Sequence, residues 1–163
     1  MAFTSEYPLT KMNFVVSVQD VNGTAAFTEV TGIEANVDVI EFRMGNSSSL
    51  APRKLPGLVK HGNVTMKMGY ISGQQLMEWA ISCVKESRAA GAFKRHDVTI
   101  ELLDIATNGT PTENLDKAPA TGKQWKLTNA WVAKYHGADL DAKNSDVAIQ
   151  TIEIAYEELV IPN

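Results

Sequence analysis

A side-chain alternation of period two returns in almost every stretch of this chain, and only one stretch has helical period. Phe14, Val16 and Val18 of "NFVVSVQD" share one face, as a half-buried strand requires. Asn22-Gly23 follows as a tight turn, and "AFTEVTG" and "IEANVDVIEF" read as the next two strands. In the second of these, Ile33, Ala35, Val37 and Val39 hold odd positions before Ile40 and Phe42 switch to even ones. Such a phase change predicts a β-bulge or a bend where a sheet curls. The spacing predicts further strands over 58–70 (Val64, Met66, Met68, Tyr70), 97–105, 124–135 and the C-terminal "VAIQTIEIAYEELVI". In the 124–135 strand Trp125, Leu127, Trp131, Ala133 and Tyr135 share a face. In the last strand Ile152, Ile154 and Tyr156 share one, with a slip between Ile149 and Ile152.

The exception to the alternation is "GQQLMEWAISCVKESRAA", where Leu76, Met77, Ala80, Ile81 and Val84 form an apolar stripe. Ser72 is its expected N-cap and Gly91 its end, with Trp79 and Cys83 flanking the stripe and packing on a sheet. About seven strands and one helix without βαβ alternation predict a mainly β fold: an antiparallel β-barrel or sandwich covered by one packed α-helix. At 163 residues and 44% hydrophobic content the chain suits one domain with a substantial core. That domain is expected over residues 1–163, with an extended loop at about 43–60 and a long connection at 106–122.

Chemistry has little to work with. His61, His96 and His136 lie in three different elements, none with a His or Cys neighbour at metal-ligand spacing. Cys83 is the single cysteine, which excludes an intramolecular disulfide, and its place beside an apolar stripe suits an inert thiol. Glu157 and Glu158 are adjacent on a strand and point to opposite faces, so they cannot share a proton. "TGKQWK" lacks the upstream glycine of a phosphate loop and leads into a strand. No catalytic residue, cofactor or metal site is therefore expected. "MAFTSEYPLTKMNF" shows no basic stretch followed by an apolar one, and no apolar run is long enough to span a membrane. The chain is expected to fold in the cytoplasm, with any export left to a dedicated machine.

The charge map is more informative. From Arg43 to Tyr70 there is no acidic residue, while Arg43, Arg53, Lys54, Lys60 and Lys67 are all basic. Residues 12–42 carry Asp20, Glu29, Glu34, Asp38 and Glu41 without a base, and residues 145–163 carry Asp146, Glu153, Glu157 and Glu158 without one. A specific nucleic-acid site would interleave aromatics with the bases, and between Arg43 and Gly69 there are none. Opposite patches on one molecule suit head-to-tail association of copies.

"FTEVTGIEANVDVIEFRMGN", "PRKLPGLVKHGNVTMKMGY" and "AIQTIEIAYEEL" resemble the tail-tube (inner tube) proteins of contractile phage tails and extracellular contractile injection systems. Phe27, Glu29–Gly32, Ile40–Arg43, Pro56-Gly57, Lys60 and Asn63–Lys67 match that pattern in order. Met68 departs from it, standing where a second basic residue is common, and the 106–122 connection is longer than in compact members. The resemblance implies a β-barrel-like fold with one helix, shared with type VI secretion tube proteins. It also implies hexameric rings stacked into a hollow tube within a contractile sheath. The implied partners are other copies of the chain, the sheath protein, baseplate or spike and terminator proteins, and cargo in the lumen. On that reading Arg43, Arg53, Lys54, Lys60, Glu29 and Glu41 are expected at contacts between subunits. Glu34, Asp38, Glu153 and Glu157 are the candidates for an acidic lumen. The competing reading is a monomeric β-sandwich that binds carbohydrate or peptide through Trp125, Trp131 and Tyr135.

Overall fold

The computed structural model describes residues 11–21, 27–69, 75–86, 94–103, 123–143 and 146–162. The elements in chain order are β1 (Phe14–Val18), β2 (Phe27–Thr31), β3 (Ala35–Phe42), β4 (Arg53–His61), β5 (Val64–Gly69), α1 (Gln75–Glu86), β6 (His96–Leu102), β7 (Gln124–His136), β8 (Ile149–Ala155) and β9 (Glu158–Val160). The Asn22-Gly23 turn, Ser72, Gly91 and the 106–122 connection lie outside the described residues.

Seven strands form one antiparallel sheet in the order β1-β6-β7-β8-β5-β2, with β9 added to β7. Its pivot is β7, thirteen residues long, whose first half pairs with β6 and β9 and whose second half pairs with β8. The sheet thus has two wings, β1-β6-β7-β9 and β7-β8-β5-β2. Val16, Val98, Ile100 and Leu127 from the first wing and Val64, Met66, Ile152 and Ile154 from the second join one buried cluster. Period-two burial in β5, β6 and β8 follows directly from the alternating sequence.

Helix α1 caps this core with Leu76, Trp79, Ala80 and Cys83, at spacings of three and four. That is a correction to the expected stripe. Val84 is exposed and Met77 and Ile81 are only half-buried, because the face containing the indole and the thiol is the one turned inward. The Trp79 indole N–H donates to the Lys94 carbonyl at 3.2 Å, so the bulky ring is buried with its polar atom satisfied.

The slip at Ile149 has an equally specific cause. The alternation of β8 runs unbroken, but Gln150 holds a core position and Ile149 faces out. The Tyr135 hydroxyl donates to Gln150 Oε1 at 3.1 Å, which makes that buried amide tolerable. In β7 the alternation does slip. Leu127 is fully buried, yet the next core positions are Ala130 and Val132, so Trp131 leaves the face that Trp125 and Leu127 occupy. Asn129 takes up the slip with a left-handed φ of 51°.

The remaining two strands, β3 and β4, form a separate two-stranded sheet. The expected strand over 58–70 is therefore two strands with a turn at 62–63, and the expected loop at 43–60 becomes strand from Arg53 onward. Pro56 is accommodated because β4 is an edge and bulges there: Gly57 and Leu58 together oppose Asp38 alone. A Cβ on Gly57 would stand 2.9 Å from the Asp38 carbonyl oxygen, so only glycine fits the bulge.

Candidate assembly surfaces

The β3–β4 hairpin contributes nothing to the buried core, yet it is apolar on both sides. Its register puts Val37, Val39, Val59 and Pro56 on one face and Ile40, Phe42 and Leu55 on the other. Every one of those β-branched, leucine and phenylalanine side chains is more than half exposed, and Leu58 in the bulge is 74% exposed. The phase change at Ile40 therefore marks a ribbon with two apolar faces, each open to solvent in the isolated chain. A monomer has no reason to present both, since a contiguous exposed apolar patch invites a partner.

Pairing also explains what becomes of the basic segment. Antiparallel register lays the acidic strand β3 against the basic strand β4. Lys60 Nζ lies 2.7 Å from Asp38 Oδ2, and Lys54 Nζ lies 3.9 Å from Glu41 Oε1. Arg43 donates through Nε to the Ser49 carbonyl at 3.2 Å and holds the 43–52 loop closed. Arg53, opposite Phe42, pairs with none of the described carboxylates. Of the expected contact residues, Arg43, Arg53, Lys54, Lys60 and Glu41 thus belong to the hairpin and its loop. Glu29 does not. It sits on β2, where its Oε2 lies 2.8 Å from Lys67 Nζ.

The second surface is the outward face of the β2-β5-β8-β7 wing. Two cross-strand rows fill its middle, Thr31–Thr65–Glu153–Lys134 and Glu29–Lys67–Thr151–His136. Asn63 reaches onto it, its amide donating to Glu153 Oε1 at 2.8 Å. Only Glu153 of the four lumen candidates lies there. Asp38 is in the hairpin, Glu34 leads into it, and Glu157 stands at the β7 corner. The alternation that puts Val64, Met66 and Met68 inward also predicts Thr65 and Lys67 outward, as found; Thr151 and Lys134 are the positions the sequence reading left out.

That corner is held by charge. The Asn129 N–H donates to Asp97 Oδ1 at 3.1 Å and its side-chain amide donates to Glu157 Oε2 at 2.9 Å. Lys126 Nζ lies 2.9 Å from Asp97 Oδ2, and Arg95 donates to Glu157. The Lys126 ammonium, then the Asn129 backbone N–H, hold the Asp97 carboxyl below its usual range. The Asn129 amide, then the Arg95 guanidinium, do the same for Glu157. A carboxylate with a depressed folded-state pKa stabilises the fold above its unfolded pKa and loses that contribution as pH falls through the folded one. Asp97→Asn should therefore lower the melting temperature at pH 7, and the gap to the native chain should close as pH drops below the ordinary value of 3.8. A gap that stays constant from pH 7 to pH 3 in thermal melts would show that the carboxylate charge has no part in the corner.

No group of three or more potential metal ligands occurs among the described residues. Cys83 is buried with its sulfur 4.0 Å from the Lys94 carbonyl. His61 closes the hairpin base, its ring 5.2 Å from that of Tyr156, whose hydroxyl donates to the Glu34 carbonyl at 3.1 Å. Burial pushes the Tyr156 hydroxyl pKa up. Trp125, Trp131 and Tyr135 are committed to packing, since all three lie against the buried core, Trp125 opposite Ile100 and Tyr135 opposite Ile152.

The family model described as T4-like virus tail tube protein gp19 matches residues 10–160. Among solved structures, the chain resembles one from the sheath-tube complex of the extracellular contractile injection system PVC in its extended state. The two are 27% identical, cover 97% of this chain and 93% of that one, and superpose with a TM-score of 0.72. A chain of the anti-feeding prophage tube-terminating cap is 23% identical over 99% of both chains, with a TM-score of 0.72. Hcp1 from Flavobacterium johnsoniae, at 16% identity over 91% of this chain and 93% of that one, shares the fold with a TM-score of 0.51. No curated protein matches the sequence. With a two-faced hairpin outside the core and a family match from residue 10 to residue 160, the chain belongs to the T4 gp19-like tail tube family, the structural subunits of contractile inner tubes.

Proposed function

We propose that this subunit closes into hexameric rings that stack as a hollow tube inside a contractile sheath, with a baseplate at one end and a terminator at the other. The similar chains come from a sheath-tube complex, a baseplate and a tube-terminating cap, which supports those partners. The observation that carries the reading is the β3–β4 hairpin, whose two apolar faces stand open on the isolated chain. Neighbouring subunits cover both, so each hairpin is an arm clasped between other copies. Its cis ion pairs, Lys60–Asp38 and Lys54–Glu41, neutralise charge that would otherwise be costly to carry into such an interface. Arg53 remains to meet an acidic group on a neighbour. The outer edges of β1 and β2, five residues each, are likewise available for pairing across subunits.

No helix among the described residues is long and apolar enough to cross a membrane, and the site of action is the assembled particle, released from the cell or docked to an envelope. A purely structural role needs no catalytic group. Negative-stain electron microscopy of the purified chain tests the reading: rings or tubes of uniform diameter support it, and monodisperse monomers at every concentration would remove it in favour of a binding module.

A further inference from the structure

The β3–β4 arm shares no strand ladder with the seven-stranded sheet, and the chain enters and leaves it through two short linkers, 32–34 and 62–63. Those linkers touch. Gly32 has a left-handed φ of 89°, and a Cβ there would collide with the Asn63 carbonyl oxygen. A Cβ at Gly62 would likewise collide with the Glu34 carboxylate. Two positions without side chains at one crossing suit a hinge, because few atoms must move when the backbone turns. The ion pairs Lys60–Asp38 and Lys54–Glu41 are internal to the arm and would travel with it.

Across that crossing the arm is gripped by Tyr156, which follows β8 and is 9% exposed. Its hydroxyl donates to the Glu34 carbonyl at 3.1 Å where the chain enters the arm, and its ring lies 5.2 Å from that of His61 where the chain leaves it. One core-anchored side chain thus holds both ends of the arm. The grip is unfinished, because His61 Nδ1 is buried without a hydrogen-bond partner. In either tautomer of the neutral ring that atom is a donor or an acceptor with nothing to meet, and few buried polar atoms are left so. The phenol therefore favours the position the arm holds, and the orphaned imidazole nitrogen opposes it. A turn at the hinge that uncovers His61 would give Nδ1 water or a neighbour's polar group, while breaking the phenol's bond.

We propose that Tyr156 and His61 form an autoinhibitory latch, which keeps the arm at rest on the free subunit until docking between neighbours releases it. What the arm docks to rests on the tube reading, whereas the latch belongs to the free subunit. Opposed influences on one equilibrium give opposite predictions. Tyr156→Phe removes the hydroxyl that favours rest and so populates the released arm. His61→Phe keeps an aromatic ring against Tyr156, removes the orphaned nitrogen and deepens rest. A neighbour that binds the released arm has less to overcome in the first variant and more in the second.

The test uses the full chain at pH 8. Hydrogen exchange read by mass spectrometry on dilute subunits reports opening of the linkers, over 32–35 and 61–64. Light scattering follows tube growth at higher concentration, and microscopy scores the product. Tyr156→Phe should raise linker exchange and shorten the growth lag, each by about threefold or more, and His61→Phe should shift both in the opposite direction. Exchange that is unchanged in both variants, or that moves the same way in both, would overturn the latch. So would altered exchange without altered growth, or slower growth of Tyr156→Phe, since the resting position would then be the docked one. Should Tyr156→Phe not fold, His61→Phe decides alone: slower exchange with a longer lag supports the latch, and any other result overturns it. A wild-type chain that forms no tubes removes the tube reading, while exchange in the free subunits still decides the latch.

Discussion

Val39→Glu and Ile40→Glu, placed singly on opposite faces of the β3–β4 hairpin, should each stop tube growth while leaving the subunit folded. The two residues are adjacent, point to opposite sides of the ribbon, and are 60% and 53% exposed. A glutamate at either position meets water in the isolated chain, so melting temperature and circular dichroism should stay close to those of the native protein. In an assembly that covers both faces, each carboxylate loses its hydration without gaining a partner. Such burial costs several kcal/mol per site, with about 1–3 kcal/mol even for a neutral polar group. The defect recurs at every subunit of every ring. Assembly by only one of the two variants would show that a single face is covered, and assembly by both would dismiss the hairpin as an arm.

Ala80→Asp should act on the other side of the balance, abolishing the folded subunit. Ala80 is 1% exposed, on the face of α1 that also carries Trp79 and Cys83 into the core. An aspartate there is an unpaired buried charge beside close-packed apolar groups, and total stability is only about 5–15 kcal/mol. Soluble yield should fall to near nothing. Val84→Asp on the same helix is the control, since Val84 is 54% exposed and should tolerate the charge with a melting temperature within a few degrees of native. The opposite ranking would mean that the helix turns a different face, the one bearing Val84, toward the core.

These two sets of substitutions fall where the sequence was hardest to read. Alternation made β5, β6 and β8 legible, because each has one face in the core and one in water. It failed for β3, since Val39 and Ile40 are both apolar and both outside the subunit's own core. A rule that assigns one buried face per strand has no place for a ribbon whose two faces are finished by other molecules. Pro56-Gly57 read as a loop for a related reason: proline belongs on an edge or at a bulge, and β4 provides both without any trace in local composition.

The corner in β7 was hidden because its cause is distant in sequence. Asp97 and Glu157 pin Asn129 in a left-handed conformation, and nothing within "QWKLTNAWVAKY" announces that slip. The basic segment was legible as charge but not as geometry. Lys54 and Lys60 meet Glu41 and Asp38 on the preceding strand and Lys67 meets Glu29 on β2, so only pairing register reveals how little free positive charge remains.

The most direct test of a subunit whose arm is clasped between its neighbours is a cryo-electron microscopy reconstruction of the assembled tube. Stacked sixfold rings are expected, with Val39 and Val59 covered by one neighbouring subunit and Ile40, Phe42 and Leu55 covered by another. A tube in which the hairpin projects free into solvent, or folds back onto its own subunit, would contradict the account.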